Sequence, residues 1–220
     1  MSTKKLVFLS LFSAVAYVLV LLIRIPFMPV VPGFTLSYEP KDTIIVIGGF
    51  VFGPLASMMI SVVVSFIEMI TISTTGPIGL AMNIIASCAF ACTAAIVYKY
   101  KKTLAGAAIG LALGMLAMTA VMLLWNYIMV PLYTPFTRDA VLALLLPVFA
   151  PFNLIKSGLN AGIVMLIYKP ITTALRQAKV LSTPVSAKTG IKILRPDIII
   201  VSLFIILTCI LLILSYMDSI

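Results

Sequence analysis

The chain has 220 residues, of which 63% are hydrophobic and only 10% charged. A soluble domain carries about 25% charged residues, so this inventory cannot cover a water-facing surface, and lipid is the expected solvent for most of the chain. The formal net charge is +9 and there is no histidine, which removes most zinc chemistry and histidine acid–base catalysis.

Inside a bilayer every backbone N–H and C=O must be paired internally, which leaves helices or closed barrels. The apolar runs here are long and continuous, as at residues 198–214, and do not alternate. They predict an all-α integral membrane protein of about six or seven spanning helices. The first expected helix covers residues 6–23, and Arg24 and Pro26 end it. No small-residue cleavage site follows Lys4 and Lys5 and their apolar stretch, so no removable leader is expected. Residues 27–38 contain Pro29, Pro32 and Gly33 and are too broken to span. A short second helix begins near Asp42, read as its N-cap, and closes at a turn at Gly53 and Pro54. The third covers residues 55–70 and carries Glu68, the fourth 80–98 and the fifth 104–131. Residues 141–149 are apolar but interrupted by Pro147 and Pro151; the sixth helix follows at 152–168. The expected division is a six-helix transmembrane bundle at 1–170, a basic linker at 171–196, and an additional transmembrane helix at 197–220.

With the N-terminus inside, the inner segments hold eleven basic residues: Lys4, Lys5, Lys99, Lys101, Lys102, Lys169, Arg176, Lys179, Lys188, Lys192 and Arg195. The outer segments hold three, Arg24, Lys41 and Arg138. This is a positive-inside pattern. It explains the net charge through the bilayer and removes the case for nucleic acid as a partner. Cys88, Cys92 and Cys209 read as small apolar fillers rather than a metal or redox site.

An ionisable side chain within a span costs about 2.5–3.5 kcal/mol and is a functional hypothesis by default. Lys156 is such a residue. Asn153, Lys156 and Asn160 follow the spacing i, i+3, i+7 and fall within about 60° of one helix face. Asn126 on the fifth helix reaches about the same depth from the opposite direction. Together they outline a pocket opening outward; the alternatives are interhelical hydrogen bonding for the asparagines and snorkelling for the lysine. The segment at 27–38 reads either as an interfacial loop or as a lid, with Phe27, Phe34, Leu36 and Tyr38 suited to a planar aromatic ligand. Glu68 is read as solvated at the interface, in preference to a ligand role. Ser10 and Ala14 form a small-xxx-small pair that permits close helix approach.

Three stretches resemble a known family. Pro151-Phe152-Asn153-Leu154-Ile155-Lys156, with Asn160, Tyr168 and Lys169, resembles the sixth helix of the riboflavin-specific S components of energy-coupling factor (ECF) transporters. Ser37-Tyr38-Glu39-Pro40-Lys41-Asp42 and Gly48-Gly49-Phe50-Val51-Phe52-Gly53-Pro54 resemble their first outer loop and short second helix. Trp125-Asn126-Tyr127 with Pro131-Leu132-Tyr133 resembles the end of their fifth helix. The likeness extends over residues 6–169.

The resemblance implies a six-helix S-component fold that binds a vitamin at the outer face of a prokaryotic cell membrane. Such proteins dock on a T subunit driven by two ATPases and topple to release the vitamin inside. It implies that Ser10 and Ala14 face the T subunit and that Asn126, Asn153 and Lys156 hydrogen-bond a flavin ring. Asn160, Phe34, Leu36 and Tyr38 complete the expected binding set. Riboflavin is then cargo, with no cofactor, no metal and no catalytic residue. Two departures stand out: Ser65-Phe66-Ile67-Glu68 replaces the polar pair usual late in the third helix, and the final span is extra. No Walker A motif is present, so energy for ATP-driven transport would come from partners. The in-span inventory of acids is essentially Glu68, which argues against an enzyme. The alternatives are an S component for another vitamin, or a stand-alone secondary transporter, against which the lack of an inverted repeat speaks.

Overall fold

The computed structural model describes residues 3–31, 34–177 and 196–218, without the side chains of 29–31, 34–35, 174–177 and 216–218. The elements in order are α1 (Thr3–Leu22), β1 (Ile25–Val31), β2 (Phe34–Tyr38), α2 (Lys41–Phe52), α3 (Pro54–Thr71), α4 (Gly76–Tyr100), α5 (Leu104–Tyr133), α6 (Arg138–Leu144), a π-helical turn (Leu145–Phe149), α7 (Ala150–Gln177) and α8 (Pro196–Asp218). Six spans among the described residues are long and apolar enough to cross a membrane. Large apolar side chains such as Val7, Leu11 and Val18 on α1, Leu116 and Leu124 on α5, and Phe204 and Leu207 on α8 face outward. In water that surface would be untenable; in lipid it is the solvated face. The protein is an all-α membrane bundle carrying one short hairpin.

Three local features shape the site. The first is the turn from α2 to α3. Gly53 has φ 94°, its N–H bonds Gly49 O at 2.8 Å, and Pro54 opens α3. Only glycine holds that dihedral without cost, and proline suits the first turn of a helix. The second is the break at Pro147 and Pro151. The chain does not leave helix there; a π-helical turn absorbs Pro147 and α7 begins at Ala150. A π-turn relieves the clash and missing N–H that proline brings to an α-helix.

The third is the segment expected to be irregular, which is a two-stranded antiparallel hairpin. Ile25 pairs with Tyr38, Met28 with Leu36 and Val31 with Phe34, with register shifts between Pro26 and Met28 and between Pro29 and Val31. The prolines exclude a helix and interrupt the ladder where their N–H is missing. Pairing across the hairpin satisfies backbone groups that face between its two strands. The hairpin sits on an apolar cluster in which Phe27, Met28 and Leu36 meet Phe149, Phe152 and Ile155. Phe27 stacks on Phe152 with ring centroids 5.3 Å apart.

Asp42 is not the N-cap of α2. Pro40 holds that position without a side-chain cap bond. Asp42 is buried in the first turn, where its carboxylate accepts from Ser87 Oγ of α4. A carboxylate stranded in an apolar interior is held by such a donor.

Candidate substrate-binding site

Beneath the hairpin, α3, α4, α5 and α7 enclose a cavity of about 140 Å³. Its walls include Leu36 and Ser37 of β2, Met82 and Ala86 of α4, Met118 and Met122 of α5, and Phe152 of α7. These give an apolar, adaptable lining, since methionine fits irregular flat surfaces. Asn126, Asn153 and Lys156 converge on the same space. All three are nearly inaccessible, at 3%, 1% and 7% exposure.

Their hydrogen bonding is incomplete. Asn153 Nδ2 donates to Phe149 O at 2.7 Å, one turn back along the chain, and this fixes the amide plane. Its Oδ1 has no donor among the described residues, and neither the Asn126 amide nor the Lys156 ammonium has a hydrogen-bond partner there, although the ammonium acts electrostatically on Glu39. Buried polar groups are ordinarily paired. Three groups on two helices, with free hydrogen-bonding capacity facing one cavity, form a constellation able to hold a ligand with both donors and acceptors.

Not every expected site residue lies on this wall. Leu36 does. Tyr38 and Asn160 are buried beside it, in a polar knot that ties three elements together. Asn160 Oδ1 accepts from Thr43 Oγ1 at 2.8 Å and from Tyr38 OH at 3.5 Å, and Asn160 Nδ2 donates to Lys156 O at 3.0 Å. The knot anchors the foot of the hairpin and α2 to α7 under Lys156. Phe34 is in β2, and its side chain lies outside the described residues.

The cavity wall also includes Arg24, Glu39, Glu68 and Asn83, and with Lys41 behind them they form a cluster that sequence reasoning placed elsewhere. Lys41, counted above as an outer-loop cation, is fully buried. Its ammonium lies between Glu39 Oε2, at 2.9 Å, and Glu68 Oε2, which it contacts closely. Glu68 is therefore not solvated at the interface; it is 2% exposed and also accepts from Asn83 Nδ2 at 3.0 Å. Arg24 Nε reaches Glu39 Oε1 at 3.5 Å from the start of the hairpin. Burial opposes ionisation of Glu39, but Lys41, Lys156 and Arg24 outweigh it and hold the carboxyl below its ordinary range. A signal for the triad exists in the sequence. Glu68 inside a span needs a cation at its own level, and Lys41, two residues from Glu39, is the nearest in an outer segment.

The family model for the substrate-specific component of ECF transporters matches residues 4–168. The chain belongs to this family. It is an S component, a transport protein rather than an enzyme. It is 32% identical over 188 residues to the riboflavin transporter FmnP of Bacillus subtilis (strain 168), covering 81% of this chain and 97% of that protein. It is 30% identical over 181 residues to the riboflavin transporter RibU of Staphylococcus aureus (strain TCH60), covering 79% and 93%. A solved structure of the S component of a bacterial ECF transporter superposes with a TM-score of 0.64 at 29% identity, covering 80% of this chain and 99% of that one. In this S component, α8 follows the matched residues.

Proposed function

We propose that this S component captures riboflavin at the outer face of the membrane. The observation that carries the reading is the convergence of Asn126, Asn153 and Lys156, with unpaired polar atoms, on one methionine- and phenylalanine-lined cavity. The pyrimidine edge of a flavin presents ring carbonyls beside a ring N–H. Amides supply both a donor and an acceptor, and an ammonium donates to a carbonyl. Met82, Met118, Met122 and Phe152 suit the flat apolar remainder of the ring system. Two relatives that cover most of their own length with this chain are riboflavin transporters.

The same reading puts the N-terminus in the cytoplasm, from the positive-inside pattern. It divides the chain into a substrate-binding bundle at 1–170, a basic linker at 171–196, whose first residues belong to α7 and whose residues 178–195 lie outside the described ones, and a further helix at 197–220. It supplies the energy through an ECF T subunit and two ATPases. Ser10 and Ala14 are exposed, one turn apart on α1. They leave a shallow strip on which a partner helix can lie close.

Purified protein should quench riboflavin fluorescence at sub-micromolar ligand without ATP or added ions. Absence of quenching at micromolar ligand rejects the flavin reading. Binding of another member of a vitamin panel, in the absence of riboflavin binding, assigns a different cargo. Ala14→Leu should impair uptake by the assembled transporter while the isolated protein binds as before; loss of binding would contradict the docking role.

A further inference from the structure

The helix α8 lies outside residues 4–168, the part matched by the family model, and it packs on two elements of the site, α7 and β1. Its contact with α7 is close. A Cβ placed on Gly162 would come within 2.8 Å of Ile206 Cγ1 and 3.3 Å of Ser202 O, and one on Gly158 within 3.1 Å of Cys209 Sγ. Glycines one turn apart let a neighbouring helix settle against the backbone, which is how helices associate in lipid without a hydrophobic drive.

The same face of α8 continues to the hairpin. Ser202, Ile206, Cys209 and Ile213 follow the spacing i, i+4, i+7, i+11 of a single seam. Cys209 is buried in the apolar cluster that contains Phe27, Met28 and Leu36 of the hairpin and Phe152 and Ile155 of α7; Ile206 and Ile213 pack against it. Leu36 and Phe152 are cavity-wall residues. The opposite face, with Ile200, Phe204, Leu207, Leu211 and Leu214, is exposed.

We propose that α8 is a strap that clamps the hairpin onto α7 and so sets how fast a bound ligand escapes through the outer mouth. The proposal rests on the hairpin covering the flavin site argued above. Without α8 the hairpin is held by its apolar cluster with Phe149, Phe152 and Ile155, including the Phe27–Phe152 stack, by the half-exposed Arg24–Glu39 pair and by the Tyr38–Asn160 bond. With α8, its apolar underside is enclosed on a second side. A clamp of this kind acts on dissociation more than on association, as most changes within one binding site do.

The test uses full-length protein in nanodiscs with riboflavin as the probe. Gly158→Cys should form a disulfide with native Cys209 under mild oxidation, because the geometry is within reach of one. Gly162→Leu drives a side chain into Ile206 and should speed riboflavin release about tenfold with association changed by less than about twofold. It should also accelerate amide hydrogen exchange in the hairpin. If Gly162→Leu does not fold, Ile206→Ala combined with Cys209→Ala alters α8 alone and should speed release about threefold. Unchanged release and unchanged hairpin exchange overturn the strap, as does failure of the 158–209 link to form. If the wild-type chain binds no riboflavin, the flavin reading falls, while hairpin exchange still decides for or against the strap.

Discussion

The two polar clusters at the cavity treat their groups in opposite ways. In one, Asn126, Asn153 and Lys156 keep donors and acceptors that no described residue satisfies. In the other, Arg24, Glu39, Lys41, Glu68 and Asn83 consume one another's charge and hydrogen bonds, with Lys41 between two carboxylates. Both clusters are buried and polar, and both depart from the apolar rule of the surrounding helices. Their energetics differ. The ion-pair network balances its charges without cargo, although Glu68 Oε1 has no hydrogen-bond partner among the described residues, and its members tie the hairpin, α2, α3 and α4 together. An open set keeps hydrogen-bonding capacity that a ligand can take up. Polar groups inside a membrane protein therefore mark function most sharply where their hydrogen-bonding capacity opens on a cavity.

The comparison can be broken at the closed cluster first. Lys41→Met leaves two buried carboxylates without their cation and should destabilise the fold by about 3–5 kcal/mol, the usual cost of removing one partner of a buried pair. Denaturation of the purified protein in detergent measures this. Combining it with Glu68→Gln should recover part of the loss, because the second change removes one of the orphaned charges. A Lys41→Met protein as stable as wild type would show that the network does not brace the bundle.

In the open cluster, Lys156→Ala should lower riboflavin affinity by about 10- to 150-fold, the equivalent of a charged hydrogen bond of about 1.5–3 kcal/mol. The melting temperature of the ligand-free protein should change little, since the ammonium makes no hydrogen bond in the fold and Glu39, on which it acts, keeps Lys41 and Arg24. Asn126→Ala should follow the same pattern with a smaller loss, about three- to tenfold, as befits a neutral hydrogen bond. Fluorescence titration with parallel melting curves separates the two clusters: mutations in one change binding, those in the other change stability.

The smallest expected effect is on pH. The Glu39 carboxyl is held below its ordinary value of 4.5 despite burial, by Lys41, Lys156 and Arg24. A depressed carboxyl contributes stability above its unfolded value and loses it as the pH falls toward the folded value. Stability in detergent should thus be level from neutral pH to about 5 and decline below that. Glu39→Gln should flatten the decline, and an unaltered acid profile would show that Glu39 does not carry it.

Much of this molecule follows from one-dimensional facts. Continuous apolar runs can only be membrane helices, because lipid offers the backbone no hydrogen bonds. Gly53 and Pro54 mark a turn, and the i, i+3, i+7 spacing places Asn153, Lys156 and Asn160 on one face of one helix. Which members of that stripe meet the cavity was decided in three dimensions. Thr43 and Tyr38 arrive from other elements to bind Asn160, while no such side chain reaches Lys156. The burial of Lys41 is likewise a tertiary event, since its two carboxylates come from a loop and from α3, and charge position along the chain says nothing of that meeting. The hairpin was hidden because prolines announce where a helix cannot be, without saying what the freed backbone will pair with. The seat of α8 on Gly158 and Gly162 was also settled only by packing. In lipid every apolar helix face looks alike from sequence, and the one that becomes an interface is the one whose shape another helix can fill.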